Sequence, residues 1–257
     1  MAATIKEILK NGQTARALII GAIPSPKIIE IASIVGGVDG LFIDQEHSAV
    51  PHQQLELLML ACRASNLDGF VRLAATDYAA VMRAMETGAS GVMIAQVRTL
   101  EQVEQAASWA KYPPAGTRGA FRGNYEARFG TIDPGEHIER ANRQRWLAIQ
   151  IETPQAVECV EQIAAVEHVD TLFVGPGDLA ITLGVPGQPM HPKCLNALER
   201  VSAAVKAVGK SWGVLPASPE HAAKCKELGC QFYVVGTDVE LIRNGLNSMN
   251  DRFKGVI

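Results

Sequence analysis

The chain has 257 residues, of which 47% are hydrophobic and 20% are charged, and these fractions exclude disordered and fibrous proteins. Its net charge of -3, without a long run of lysine and arginine, argues against nucleic acid as a partner. No apolar run is long enough to span a membrane, so no membrane association is expected.

The amino terminus and the cysteines bear on location. Residues 1–13 lack the apolar core of a signal peptide, so a cytoplasmic location is expected. The five cysteines are scattered and show no Cys-x-x-Cys spacing, which predicts reduced thiols used mainly in packing.

Eight short apolar runs recur along the chain, each bounded by glycine, proline or a charged residue. Their apolarity is continuous rather than alternating, which is typical of parallel strands buried on both faces. The predicted strands are residues 17–21, 40–44, 69–73, 91–95, 146–151, 171–175, 212–215 and 232–236.

Segments with helical periodicity lie between these runs, and several begin at a proline preceded by serine, threonine or aspartate. The predicted helices are residues 26–34, 53–64, 78–87, 100–110, 134–145, 154–164, 193–208, 219–228 and 239–252. The repeated alternation predicts an α/β protein with one (β/α)8 TIM-barrel domain over residues 1–257. An open doubly wound sheet is the alternative.

Residues 111–131 do not fit the alternation. They contain Tyr112-Pro113-Pro114 and then a stretch rich in glycine and arginine. An ordered loop of this length is commonly a lid or a binding loop, although it could be a simple surface excursion.

Polar side chains follow several of the predicted strands, where catalytic groups of such barrels lie. Glu152 and Asp178 follow neighbouring strands, and hard oxygen ligands suit Mg²⁺ or Mn²⁺. A helix cap or a salt bridge is the alternative use of such acids. The polar residues in or after the second to the sixth predicted strands are Asp44, Gln45, Glu46, His47, Arg72, Gln96, Gln150, Glu152 and Asp178.

Arg72 and His47 are the other candidates for chemistry. A charge inside a buried strand is costly unless it pairs or binds an anion, so Arg72 is expected to hold an oxygen that gains negative charge. His47 follows a strand end and can carry a proton near neutral pH. The remaining histidines are expected on the surface, namely His52, His137, His168, His191 and His221.

Other chemistries lack their motifs. The sequence has no Gly-x-Gly-x-x-Gly or Walker loop, no Gly-x-Ser-x-Gly elbow and no His-Glu-x-x-His. No lysine lies within or at the end of a predicted strand, so a Schiff-base mechanism has no nucleophile. A metal is therefore expected to act as the electron sink.

Over nearly its whole length the sequence resembles the HpcH/HpaI aldolase family of metal-dependent class II pyruvate aldolases. Five motifs in the same order carry the resemblance, and together they are far more specific than any one of them. They are residues 42–47 (FIDQEH), 71–72 (VR), 112–119 (YPPAGTRG), 150–153 (QIET) and 173–179 (FVGPGDL).

The resemblance implies a barrel of the phosphoenolpyruvate/pyruvate type and an aldehyde-lyase that reversibly cleaves 4-hydroxy-2-oxo acids to pyruvate and an aldehyde. The reaction would pass through the pyruvate enolate with a divalent metal, Mg²⁺, Mn²⁺ or Co²⁺. It also implies a homo-oligomer, a hexamer built as a trimer of dimers.

The resemblance further assigns roles at matching positions. Glu152 and Asp178 look like the metal ligands. The catalytic set would be His47 as general acid/base, Arg72 as transition-state stabiliser, Asp44, and Glu86 where the family places an aspartate that pairs with the histidine. The substrate contacts would be Arg72, Gln150, Leu215 and the backbone at Gly177.

The sequence departs from the family at Gln45, Gly177 and Ala180, where glycine, alanine and serine are usual, and in residues 118–130. That segment is expected to shape the pocket for the aldehyde acceptor, so the sequence does not identify which aldehyde is used. The alternatives are an acyl-CoA lyase, for which Arg118, Arg122 and Arg128 would form the clearest basic path, an oxaloacetate decarboxylase, or a catalytically silent binding module.

Overall fold

Eight parallel strands close into one barrel in the order in which they occur along the chain. The computed structural model describes residues 3–74 and 77–256. The first and last strands pair with each other, which confirms the predicted barrel and excludes the open sheet. The strands are β1 (Ala15–Ile20), β2 (Gly40–Asp44), β3 (Asp68–Ala74), β4 (Gly91–Ala95), β5 (Trp146–Ile151), β6 (Thr171–Val174), β7 (Ser211–Val214) and β8 (Phe232–Thr237).

Alternate side chains of each strand point into the barrel, where aromatic rings fill the interior. Phe42 and Phe70 pack with ring centroids 5.1 Å apart. Ile5 and Leu9 of the first helix join this core, so that helix closes the amino-terminal end of the barrel. The barrel interior is therefore filled by packed side chains up to the carboxyl ends of the strands.

The helices surround the barrel, and their apolar faces form a second core against the outer side of the strands. Most predicted helices are confirmed with small changes at their ends. The helices are α1 (Ile5–Lys10), α2 (Pro26–Val35), α3 (His52–Ala64), α4 (Tyr78–Glu86), α5 (Leu100–Ala110), α6 (Pro134–Gln144), α7 (Pro154–Glu158), α8 (Val160–Ala165), α9 (Pro176–Thr182), α10 (Pro192–Ala207), α11 (Pro219–Glu227) and α12 (Asp238–Phe253).

Three helical features differ from the predictions. Helices α1 and α9 were not predicted, because six or seven residues give too little periodicity to recognise. The predicted helix 154–164 is two helices, since Cys159 has φ -112° and ψ 21°, outside the helical range. Helix α9 matters for function because it carries Asp178 in its first turn.

Residues 111–131 form an ordered connection with one 3-10 turn, Arg128–Gly130. Its anchor is a buried ion pair in which Arg118 Nη2 lies 2.7 Å from Glu126 Oε2. Arg145, just before β5, donates from Nε to Glu126 Oε1 over 2.9 Å. The bond from Arg145 therefore ties the segment to the start of β5, in addition to the packing of its buried Tyr112.

Two of the five histidines expected on the surface are buried, so those two predictions were wrong. The ring of His137 packs on Tyr112 with centroids 5.3 Å apart. His221 lies in the first turn of α11, where its Nδ1 accepts a hydrogen bond from the backbone amide of Ala217 at 3.1 Å. Both residues lie within helices, α6 and α11, and the helical periodicity of the sequence did not indicate that their side chains are buried.

The thiols are free, as predicted, and all but the half-buried Cys159 are buried. Within the described residues, no helix is both long and apolar enough to cross a bilayer.

Candidate active site

A cavity of about 300 Å³ lies at the carboxyl ends of the strands. Strand ends and the loops after them supply its wall, as expected for a barrel of this kind. The lining residues are Ile19, Phe42, Asp44, His47, Arg72, Gln150, Phe173, Gly175, Pro176, Gly177, Asp178, Leu215 and Thr237.

Arg72 and Asp44 form a two-pronged ion pair on the cavity wall. The register of β2 and β3 places these two residues side by side. Arg72 donates from Nε to Asp44 Oδ1 over 3.0 Å and from Nη2 to Asp44 Oδ2 over 2.8 Å. Burial alone would raise the pKa of Asp44, but the bonds and charge of Arg72 bring it below its ordinary value. The pair is therefore ionised and fixes the plane of the guanidinium.

Asp44 also shapes the turn that follows β2. Its Oδ1 accepts a hydrogen bond from the backbone amide of Glu46 at 3.0 Å and another from that of His47 at 3.4 Å. One carboxylate thus positions both the guanidinium of Arg72 and the backbone that carries His47.

Glu46 is a further acid with a buried side chain. The sequence placed it among the polar residues after β2 but assigned it no role. Its Oε2 lies 3.2 Å from Arg72 Nε and 3.9 Å from His47 Nε2, yet no described residue donates a hydrogen bond to it. Burial raises its pKa, and Arg72 and His47 only partly offset this. The side chain of His47 is 60% exposed, so it is open to substrate and solvent at the mouth of the cavity.

Glu152 is completely buried at the end of β5, beside the cavity. Its Oε1 accepts a hydrogen bond from the backbone amide of Gln96 at 2.8 Å. Its Oε2 accepts a hydrogen bond from the side-chain Nε2 of Gln150. Gln96 has φ 57°, a strained conformation for a residue with a side chain, and this aims its amide at the carboxylate. Burial raises the pKa of Glu152 to about 7, and the negative charges of Glu46 and Asp178 add to the effect.

Asp178 reaches the cavity from the first turn of α9, after β6. Gly175 lies close to the carboxylate of Glu152, because a Cβ at position 175 would lie 2.5 Å from Glu152 Oε2 and would displace that side chain. The amide of Gly177 is in the same first turn, where an α-helix leaves its N–H groups without intrahelical acceptors. The carboxylates of Glu152, after β5, and Asp178, in α9, therefore lie close to backbone N–H groups that have no acceptor within the helix.

These residues fit a divalent cation. Glu152 and Asp178 are hard oxygen donors, and burial of Glu152 beside other acids with no cation of its own is a costly arrangement that a metal would relieve. Within the described ranges no group of three or more His, Cys, Asp or Glu side chains converges as a metal site. Two protein ligands would leave the other positions to substrate and water.

Most of the predicted site residues are brought together. Seven of them line the cavity: Asp44, His47, Arg72, Gln150, Gly177, Asp178 and Leu215. Glu152 adjoins it through Gln150 and Gly175.

Glu86 is different, because it ends α4 and its electrostatic neighbours are Arg118, Glu126 and His52. Its pairing with His47 stays a prediction. Residues 118–130 are not among those that line this cavity, contrary to expectation, and Arg118 pairs with Glu126 within the segment.

Sequence reasoning missed the role of Glu46 and of the backbone of Gln96. The acidic pair flanking Gln45 was a visible signal for Glu46, but nothing in the sequence indicates the backbone conformation of Gln96. Ile19 and Thr237 in the cavity wall were also missed, because both are ordinary strand residues until the barrel closes.

Fold and site together define a (β/α)8 barrel with a cavity at the strand ends that is lined by acidic side chains and one arginine. The profile of the HpcH/HpaI aldolase/citrate lyase family matches residues 20–245. A pyruvate aldolase from Rhizobium etli is 34% identical over 96% of this chain and 96% of its own. A 2-keto-3-deoxy-L-rhamnonate aldolase from Salmonella gallinarum is 34% identical over 98% of this chain and 93% of its own. The chain belongs to the HpcH/HpaI aldolase/citrate lyase family.

Solved structures agree with this assignment. An HpcH/HpaI aldolase from Desulfitobacterium hafniense superposes with a TM-score of 0.91 at 28% identity, covering 99% of this chain and 98% of that one. The CitE protein from Mycobacterium tuberculosis, solved with magnesium and pyruvate, has a TM-score of 0.56 at 17% identity, covering 87% and 85% of the two chains. At that identity the second likeness is one of fold alone.

Proposed function

We propose that this protein is a divalent-metal-dependent aldehyde-lyase that reversibly cleaves 4-hydroxy-2-oxo acids to pyruvate and an aldehyde. The observation that carries the proposal is the excess of carboxylates around Glu152 and Asp178 beside the fixed guanidinium of Arg72. The family membership and the aldolase names of its relatives support the same reaction.

Glu152 and Asp178 would hold the metal, which on binding supplies Lewis acidity that makes the methyl group of a 2-oxo acid easier to deprotonate. Gln150 and the amide of Gly177 would orient the 2-oxo acid in the cavity. Arg72, fixed by Asp44, would donate to the oxygen that becomes negative as the enolate forms. Such a donor helps most because it needs no reorganisation during the reaction.

His47 would move the remaining proton. Its exposed ring at the cavity mouth can take the proton from the aldol hydroxyl in cleavage and return it in addition. Glu46 Oε2, 3.9 Å from His47 Nε2, would keep that ring facing the cavity.

Removal of the metal tests the proposal directly. The purified protein should release pyruvate from a 4-hydroxy-2-oxo acid, EDTA should abolish the release, and Mg²⁺, Mn²⁺ or Co²⁺ should restore it. Pyruvate can be followed with lactate dehydrogenase and NADH. Undiminished release after thorough chelation would refute the metal-dependent mechanism.

The acyl-CoA alternative has less support, because Arg118 of its basic path is withdrawn from the surface and none of the three arginines lines the cavity. Arg118 is buried against Glu126, and Arg122 donates to the carbonyl oxygens of Gly130 and Ile132. Oxaloacetate decarboxylation would use the same residues as the aldol reaction, so it would be a side activity. A silent binding module would not need an acid, a base and a cation at one cavity.

We also propose that residues 1–257 form one domain and that the chain assembles in the cytoplasm as a homo-oligomer, a hexamer. Support for the association of chains comes from α12, where an apolar stripe at the three-four spacing of paired helices is exposed. The stripe consists of Val239, Ile242, Leu246, Met249 and Phe253. Multi-angle light scattering should give the mass of a hexamer, and a monomeric mass would contradict the proposal.

A further inference from the structure

The cavity contains very little positive charge. Among the described residues that line it, Arg72 is the single lysine or arginine. That guanidinium is already bound by Asp44 at 2.8 Å and lies 3.2 Å from Glu46. A divalent ion would offset Glu152 and Asp178, and a bound 2-oxo acid brings its own carboxylate. Among the described lining residues, no lysine or arginine is left over for a second anionic group.

The rest of the wall is mainly apolar. Ile19, Phe42, Phe173 and Leu215 contribute hydrocarbon surface, and Thr237 contributes the neutral hydroxyl. Its volume of about 300 Å³ is at the low end of the range for ligand pockets, and the 2-oxo acid occupies part of it. The space that remains fits a short chain.

From this distribution we infer that the aldehyde partner is short and uncharged, and that aldehydes carrying a carboxylate or phosphate are poor substrates. The inference rests on the proposed function and names the substrate class of the same site. An anion placed here would lose its hydration without gaining a charged partner among the described lining residues. A hydroxyl could instead bond to Thr237 or His47.

The reaction itself is balanced without any further reagent. In the addition direction, the methyl carbon of pyruvate forms a bond to the aldehyde carbon. The methyl group loses one proton and the aldehyde oxygen gains one. The acceptor's far end takes no part in this, so its charge affects binding rather than bond making.

Matched aldehydes test the inference. Glyceraldehyde, tartronate semialdehyde and glyceraldehyde 3-phosphate present the same hydroxyaldehyde end but differ at the far carbon. With pyruvate and Mg²⁺, kcat/KM should be about tenfold or more higher for glyceraldehyde than for either anion. An equal or higher value for an anionic aldehyde would overturn the inference.

A variant sharpens the test by supplying the missing charge. Leu215→Arg places a guanidinium on the apolar wall, so it should reduce the preference for glyceraldehyde over tartronate semialdehyde about tenfold. Leu215→Gln is the uncharged control, and it should keep the preference of the wild type. An unchanged preference in Leu215→Arg would count against the inference, while the wild-type comparison stands without either variant.

Deuterium exchange separates this inference from the proposed function. In D₂O with metal and no aldehyde, the methyl protons of pyruvate should exchange, as followed by NMR. Absent exchange and no product from any aldehyde would refute the proposed function. Normal exchange with faster turnover of the anionic aldehydes would refute only the inference about the acceptor.

Discussion

Two buried clusters of charged side chains in this barrel have opposite charge balances. In the cluster that anchors residues 111–131, Glu126 receives both Arg118 and Arg145, at 2.7 and 2.9 Å. Burial alone would raise the pKa of Glu126, but the two arginines bring it below its ordinary value. In the cavity, Arg72 is the single arginine or lysine among the described lining residues, and burial raises the pKa values of Glu46 and Glu152.

The difference separates a cluster that holds the fold from one that can do chemistry. A buried carboxylate with enough cations is fully compensated and has nothing left to bind. A surplus of buried carboxylates stores unfavourable charge, which a metal ion can relieve. The cavity cluster therefore has the charge distribution of a binding site, and the loop cluster has that of a structural anchor.

Removal of the anchoring carboxylate should have the largest effect. Glu126→Gln leaves two arginines without their partner, so the free energy of unfolding should fall by about 3–5 kcal/mol. Urea denaturation measures it. Glu161→Gln is the matched control, because its pair with Arg200 is largely exposed and should contribute about 1 kcal/mol or less. Equal losses in the two variants would contradict the structural role.

Arg72→Ala should act on the rate instead. Loss of one preorganised donor at the developing negative charge lowers kcat by about 100-fold to 1,000-fold. Pyruvate release at saturating substrate measures this. Arg83→Ala, on the exposed face of α4, should leave kcat unchanged. A near-wild-type rate in Arg72→Ala would remove that residue from the mechanism.

Glu152→Gln should alter the pH dependence of stability in the metal-free protein. Folding raises the pKa of Glu152 from 4.5 to about 7, so the folded state holds a proton that the unfolded state has lost. Wild-type stability should therefore fall as pH rises through this window, by at most about 1.4 kcal/mol per pH unit.

Glutamine does not titrate, so Glu152→Gln should gain on the wild type as pH rises. Urea denaturation in EDTA at about pH 5 and about pH 8 compares the two proteins. A stability difference that does not change with pH would show that Glu152 is not strained by its surroundings.

Sequence reasoning predicted the barrel well because continuous apolar runs leave few alternatives, and the strand ends then brought Asp44, Arg72, Gln150 and Asp178 to one face. Properties that depend on distance in space could not be predicted. The burial of His137 and His221 depends on neighbouring elements, and the aim of the Gln96 amide depends on a strained φ of 57°.

The segment 118–130 was the least predictable part. Its arginines suggested a ligand path from sequence, yet Arg118 is completely buried by its pair with Glu126. Charge in a sequence does not reveal whether its partner is a ligand or another side chain.

A cation held between Glu152, after β5, and Asp178 of α9 is the central feature of the proposed mechanism. Electron paramagnetic resonance can count Mn²⁺ bound to the purified protein in the presence of oxalate, a planar stand-in for the enolate of pyruvate. Wild-type protein should bind a single ion per chain, and the double variant Glu152→Gln/Asp178→Asn should bind none. Equal Mn²⁺ binding by the double variant would place the metal elsewhere and contradict the account.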